Sequence, residues 1–169
     1  MTAFKISDTM TDAVLGRGIG KALRAGDALF IEGEMRAGLQ ADASTWITTL
    51  ARTRVTVSLA LSGEFGPRGV ALALLADAVS VSDATGADGA HRGPLIAALA
   101  ANRMGQVAAR AFLAEPCPLT ALGAAGVLHS GAADLLARYK SALVAAAELP
   151  FDEAIAFAAL THANQDEMQ

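Results

Sequence analysis

An α/β fold, with a mainly parallel sheet followed by a helical C-terminal region, is the class this sequence predicts. Three observations carry the prediction. Stretches with helical spacing alternate with short apolar stretches as far as Ser82, the order expected of parallel strands joined by helices. The apolar stretches at 28–31, 55–61 and 78–82 are nearly continuous, as strands of a buried parallel sheet read. From Pro94 onward the chain is rich in Ala and Leu, carries helix punctuation, and has no long strand pattern.

Taken in order, Thr11 and Asp12 can cap a helix over 12–24, which Gly26 stops, and Ala28-Leu29-Phe30-Ile31 is the first strand. Ser44 precedes Trp46, Ile47 and Leu50 at helical spacing, and Arg54 leads into the strand over 55–61. That strand breaks at Ser62-Gly63, Gly69 opens a helix to Ala76, and 78–82 is the next strand. All three strands are expected to be inner ones, with the 69–76 helix buried against them. Residues 83–93 form a Gly-rich loop, Pro94 suits the first position of a helix to about Asn102, and Gly105 opens another to Leu113. Pro116-Cys117-Pro118 ends it, Thr120 caps a short helix, 126–129 is a turn and a short extended piece, and helices over 132–147 and 152–162 follow.

At 169 residues the chain suits one domain, 1–169, divided into an α/β core over 1–131 and C-terminal helices over 132–169. Hydrophobic residues are 53% but aromatics only 5%, so the core must be built of closely packed Ala, Val and Leu. A formal charge of −4 without a Lys/Arg cluster argues against nucleic acid, whose phosphates demand a basic face. One cysteine excludes an internal disulfide framework, and with three scattered histidines it gives no metal-ligand spacing, so no metal is expected. The first residues lack the apolar core of a signal peptide, and the apolar runs fall short of the roughly 20 residues a spanning helix needs. A soluble, cytoplasmic protein without membrane contact is expected.

The segment from Val55 to Asp77 resembles the centre of the crotonase (enoyl-CoA hydratase/isomerase) family. That pattern is an apolar strand, Asn-Gly, three residues, Gly-Gly-Gly, one residue, Glu, then a small-residue helix ending in Asp. Gly63, Gly69 and Asp77 fall in register, while Pro67 and Arg68 replace two glycines and Ala71 replaces the glutamate. Arg103-Met104-Gly105-Gln106 through Leu113 resembles the family's Gly-initiated helix, and 121–129 its "Ala-Leu-x-x-Gly-Leu-Val-Asn/Asp/His" signature. The resemblance covers roughly 28–131, with a looser likeness of 151–168 to the terminal helix. It implies the Clp-protease/crotonase fold, with ββα-type units. It also implies an acyl-CoA or acyl-carrier thioester as substrate, CoA serving as substrate carrier and no further cofactor, and a homotrimer or hexamer. The surplus of apolar positions in the Ala/Leu-rich terminal helices points to self-association as well.

In the family two backbone N–H groups hold the thioester oxygen and stabilise an enolate. By register one donor here would be the N–H of Arg68, unless Pro67-Arg68 obstructs the ligand where glycines normally admit it. The second would be the N–H of Leu39 or Gln40, in a loop that also reads simply as one with a helix-capping Asp42. The family's loop with Phe-Gly-x-Pro-Glu and a second catalytic glutamate is shortened here to Thr85-Gly86-Ala87-Asp88-Gly89-Ala90-His91-Arg92-Gly93. Candidate proton-transfer groups are therefore His91, Asp88 and Glu64. A histidine titrates near neutrality, but a polar residue in a Gly-rich loop is commonly only solvated, and Glu64 also reads as a surface or subunit-contact residue. His129, His162 and Cys117 read as structural, Cys117 because no basic group lies nearby in sequence to lower its pKa. Ser62 lacks the Gly-x-Ser-x-Gly context of a serine nucleophile and reads as a turn residue.

Two functions follow. One is a crotonase-like enzyme that hydrates, isomerises or decarboxylates a thioester through an enolate. The other, motivated by Ala71 and the short loop, is a catalytically degenerate accessory partner of a biosynthetic enzyme.

Overall fold

The computed structural model describes residues 1–128 and 133–166. In chain order the elements are β1 (Thr2–Ile6), α1 (Asp12–Ala25), β2 (Ala28–Gly33), α2 (Ala43–Arg52), β3 (Thr56–Phe65), α3 (Pro67–Leu75) and β4 (Ala78–Gly86). Four helices follow: α4 (Pro94–Ala114), α5 (Pro118–Ala124), α6 (Ala133–Glu148) and α7 (Phe151–Asp166).

The strands pair in sequential order, β1-β2-β3-β4, and every pairing is parallel. One helix links each strand to the next, so the units are βα rather than the expected ββα. Parallel crossovers are overwhelmingly right-handed, and sequential order then puts α1, α2 and α3 on one face of the sheet. There α1 packs on α2 and α2 on α3.

That arrangement explains the burial pattern. Along β3, Val57, Leu59 and Leu61 are buried under the helices, while Thr56, Ser58 and Ala60 are half-buried. The strands are thus buried on one face, not on both as their apolar runs suggested. α3 is the central core helix, with Val70 to Leu75 all buried, because helices, sheet and α4 surround it.

β1 was not anticipated: it pairs Thr2 to Ile6 with Leu29 to Gly33, and its exposed Ala3 and Lys5 hide the pattern. With β1 on one side, β4 becomes the other edge strand rather than an inner one. Both β3 and β4 outrun their expected ends, continuing past a register shift at Ser62/Gly63 to pair Phe65 with Gly86. Gly105, with φ of 79°, kinks α4 where the sequence suggested two helices. α5 begins at Pro118, with Cys117 rather than Thr120 at its N-cap. His129 lies outside the described residues, as does the side chain of His162.

A buried charge ties α6 to the sheet. Lys140 of α6 donates Nζ to the Val55 carbonyl at 2.6 Å and to the Asp77 carboxylate. Asp77 Oδ2 also accepts the Val57 N–H at 2.7 Å, so one carboxylate joins α6 to the start of β3. α7 sets Phe157 5.5 Å below the Arg54 guanidinium.

Candidate functional site

In a parallel sheet, ligands commonly sit beyond the carboxyl ends of the strands. Here those ends release the 34–42 loop after β2, the start of α3 after β3, and the 87–93 loop after β4. A cleft of about 280 Å3 lies among them, walled by Leu39, Pro67, Arg92, Pro94 and Ile96. Among the described residues that line it, Arg92 is the one with a charged side chain.

The 34–42 loop lies directly on the start of α3. Met35 bridges to Phe65, and the Gly66 N–H donates to the Met35 carbonyl at 2.8 Å. A Cβ at Gly66 would stand 2.0 Å from the Arg36 carbonyl oxygen, so this approach needs glycine. One step further, the Arg68 N–H donates to the Ala37 carbonyl at 3.1 Å. The donor expected to face a thioester is therefore occupied by the chain's own backbone.

Two aspartates from the β1–α1 junction fix the loop. Asp8 Oδ1 accepts the N–H groups of Arg36 at 2.7 Å and Ala37 at 3.1 Å. Asp12 Oδ2 accepts the Gln40 N–H at 2.8 Å, which occupies a second expected oxyanion donor. Asp12 Oδ1 takes the Trp46 indole N–H at 3.0 Å and Arg68 Nη2 at 3.3 Å. Asp12 and Arg68 are 0% and 3% exposed at the side chain, a fully enclosed ion pair. Arg68 thus turns its guanidinium into the core under the loop, not toward a ligand, while its Nε and Nη1 find no hydrogen-bond partner among the described residues. The other expected donor residue, Leu39, lines the cleft.

The proton-transfer candidates are dispersed. His91 is fully buried: Nε2 donates to the Glu115 carbonyl at 2.8 Å, and the ring meets Phe112 edge-on at 5.6 Å. Since a carbonyl only accepts, Nε2 carries the hydrogen, and Nδ1 is enclosed without a partner among the described residues. Arg92 Nη2 donates to the same carbonyl at 3.1 Å, so the loop is anchored to the end of α4. Asp88 is exposed on its turn, and Glu64 pairs on the surface with Arg36 at 3.4 Å, with half or more of each side chain in solvent. None of the three lines the cleft. Ala71, at the glutamate position, is wholly inside α3's packing.

Cys117 is exposed, and its thiol pKa is lowered by the backbone N–H groups of Thr120 and Leu119 and by the Thr120 side chain. Helix N–H groups supply what no neighbouring cation does. The sequence reading missed the buried Asp12–Arg68 pair and Lys140. Trp46 was a signal for the first, since a buried indole N–H demands an acceptor. For the second, Lys140 lies one turn before Val144, on the α6 face that is buried.

The chain is similar in structure to a protein provisionally named enoyl-CoA hydratase from Streptomyces coelicolor A3(2), with a TM-score of 0.70 and 18% identity over 95% of this chain and 81% of that one. It is also similar to the enoyl-CoA hydratase of Mycobacterium smegmatis, with a TM-score of 0.65 and 18% identity over 96% and 81%. No protein-family profile and no curated protein sequence matches. The crotonase fold expected from the sequence is therefore the fold the chain has; at 18% identity the likeness speaks for fold alone.

Proposed function

We propose that this crotonase-fold chain has given up enolate chemistry and serves as an accessory or assembly protein, through contacts with a partner enzyme or with copies of itself. The observation that carries the reading is the Arg68 N–H bonded to the Ala37 carbonyl. A thioester oxygen would need that donor, and the loop covering it is held by Asp8 and Asp12. The cleft beside it offers no carboxylate or imidazole among the described residues. Fold carries no activity without such a site.

Assembly is favoured by Leu149 and Ile155, which the α6–α7 junction and α7 leave exposed. A trimer or a dimer of trimers in the cytoplasm fits the resemblance, and no described helix is long and apolar enough to cross a membrane. The other reading, an enzyme acting on an acyl-CoA or acyl-carrier thioester, requires the 34–42 loop to leave its place. Light scattering at micromolar concentration, beside a thermal-shift titration with acetyl-CoA, separates the two. The proposal expects a multimeric mass and no ligand-dependent rise in Tm. A saturable rise, which any ligand selective for the native state must cause, would overturn it, and a strictly monomeric mass would exclude self-assembly and leave the partner enzyme as the one contact.

A further inference from the structure

At the opposite pole of the domain, below the carboxyl end of α3, lies a cavity of about 420 Å3 between α3, α4 and α6. Its walls are apolar, with Leu74, Met104, Val127, Leu143 and Val144, and its polar groups are Asp77, Asn102, Arg103 and Lys140. A second hollow, lined by Arg52, Glu148, Asn102 and Arg103, adjoins it at the rim. A mainly apolar cavity of this size with a few convergent polar groups is the usual form of a small-molecule site.

Among the described residues the charges in it do not balance. Lys140 and Arg103 face one carboxylate, Asp77, while Arg52 and Glu148 at the rim pair with each other at 3.6 Å. Lys140 is 5% exposed, and burial lowers its pKa, opposed by Asp77 and reinforced by the charge of Arg103. Arg103 reaches solvent at the rim, and the partial burial of its side chain lowers its pKa, again opposed by Asp77. Arg103 covers the partial negative charge of the α3 terminus, donating Nε to the Leu74 carbonyl at 3.1 Å and Nη2 to that of Leu75 at 3.3 Å. A guanidinium has five N–H donors, so its Nη1 edge retains capacity, as does the third N–H of Lys140.

We propose that this cavity binds a small amphiphilic monocarboxylate, its carboxylate on Arg103 and Lys140 and its aliphatic chain along Leu74, Met104 and Val144. One negative charge balances the one excess cation among the described lining residues, and a carboxylate matches the planar guanidinium fork. The site is separate from the cleft at the carboxyl ends of the strands, and the inference stands whether or not that cleft is active.

Sodium octanoate, 1-octanol and sodium chloride are titrated into the full chain by calorimetry, beside R103Q and L143W. The proposal expects saturable octanoate binding, at least about ten-fold tighter than octanol, the discrimination typical of a charged hydrogen bond, and no response to chloride. R103Q should reduce octanoate affinity to that of octanol. L143W, placed on an exposed lining position, should fill the space and abolish binding of both. No octanoate binding, equal affinity for octanol, or affinity unchanged in both folded variants would overturn the proposal.

Discussion

Crotonyl-CoA incubated with this protein is expected to hydrate no faster than it does in buffer. The reaction needs a group to deliver a proton, a group to activate water, and donors for the oxygen that gathers charge. Positioned acid/base groups contribute about 10²–10⁴-fold each, and an oxyanion donor about 10²–10³-fold. Ala71 stands where one carboxylate would be, inside the packing of α3. His91 and Asp88, the substitutes the loop offered, point elsewhere: His91 into the core against Glu115, Asp88 into solvent. Replacing His91 with Ala would remove a buried ring and destabilise the fold, while Asp88→Ala should be silent in both stability and activity. A continuous absorbance assay of the native protein beside both variants checks this, and hydration sensitive to Asp88 would relocate the active site.

Removing the Asp12 side chain should cost about 3–5 kcal/mol, because Asp12→Ala leaves the Arg68 charge enclosed and uncompensated. The same substitution strips the acceptor from the Trp46 indole and from the Gln40 N–H. It should therefore loosen the loop as well as the core. Pairing Asp12→Leu with Arg68→Met should recover the part due to the stranded Arg68 charge, since apolar replacement of a buried ion pair is often neutral, but not the part due to the Trp46 and Gln40 N–H groups left without an acceptor. Urea unfolding of the single and double variants measures both effects. A loss under about 1 kcal/mol for Asp12→Ala, the range of surface pairs, would mean that solvent reaches the pair.

What the sequence disclosed, and what it hid, follows from the range of the interactions. β3 and α3 were legible because a long apolar run with a glycine at the right place has few other solutions. β1 was not, since an edge strand with one solvated face carries too few apolar positions to announce itself. The continuation of β4 was hidden by Ser80, Ser82 and Asp83, polar residues along an exposed edge, with Asp83 at a φ of 48°. Arg68 finds its partner 56 residues away and Lys140 finds Asp77 63 residues away, separations that local pattern cannot reveal. His91 looked like a loop residue because its acceptor, the Glu115 carbonyl, exists only once α4 has ended there. The crotonase likeness located the strand-helix junction correctly, whereas the fate of its donors depended on where the 34–42 loop came to rest.

The Arg68 amide, bound to the Ala37 carbonyl, is expected to stay bound in the native state. Native-state hydrogen exchange, read at that amide by NMR with and without crotonyl-CoA, tests it directly. The account predicts that Arg68 exchanges with the free energy of global unfolding, alongside the core amides of α3, and that crotonyl-CoA leaves its rate unchanged. Rapid exchange through local opening of the 34–42 loop, slowed when crotonyl-CoA is added, would contradict it by exposing a donor that a thioester can reach.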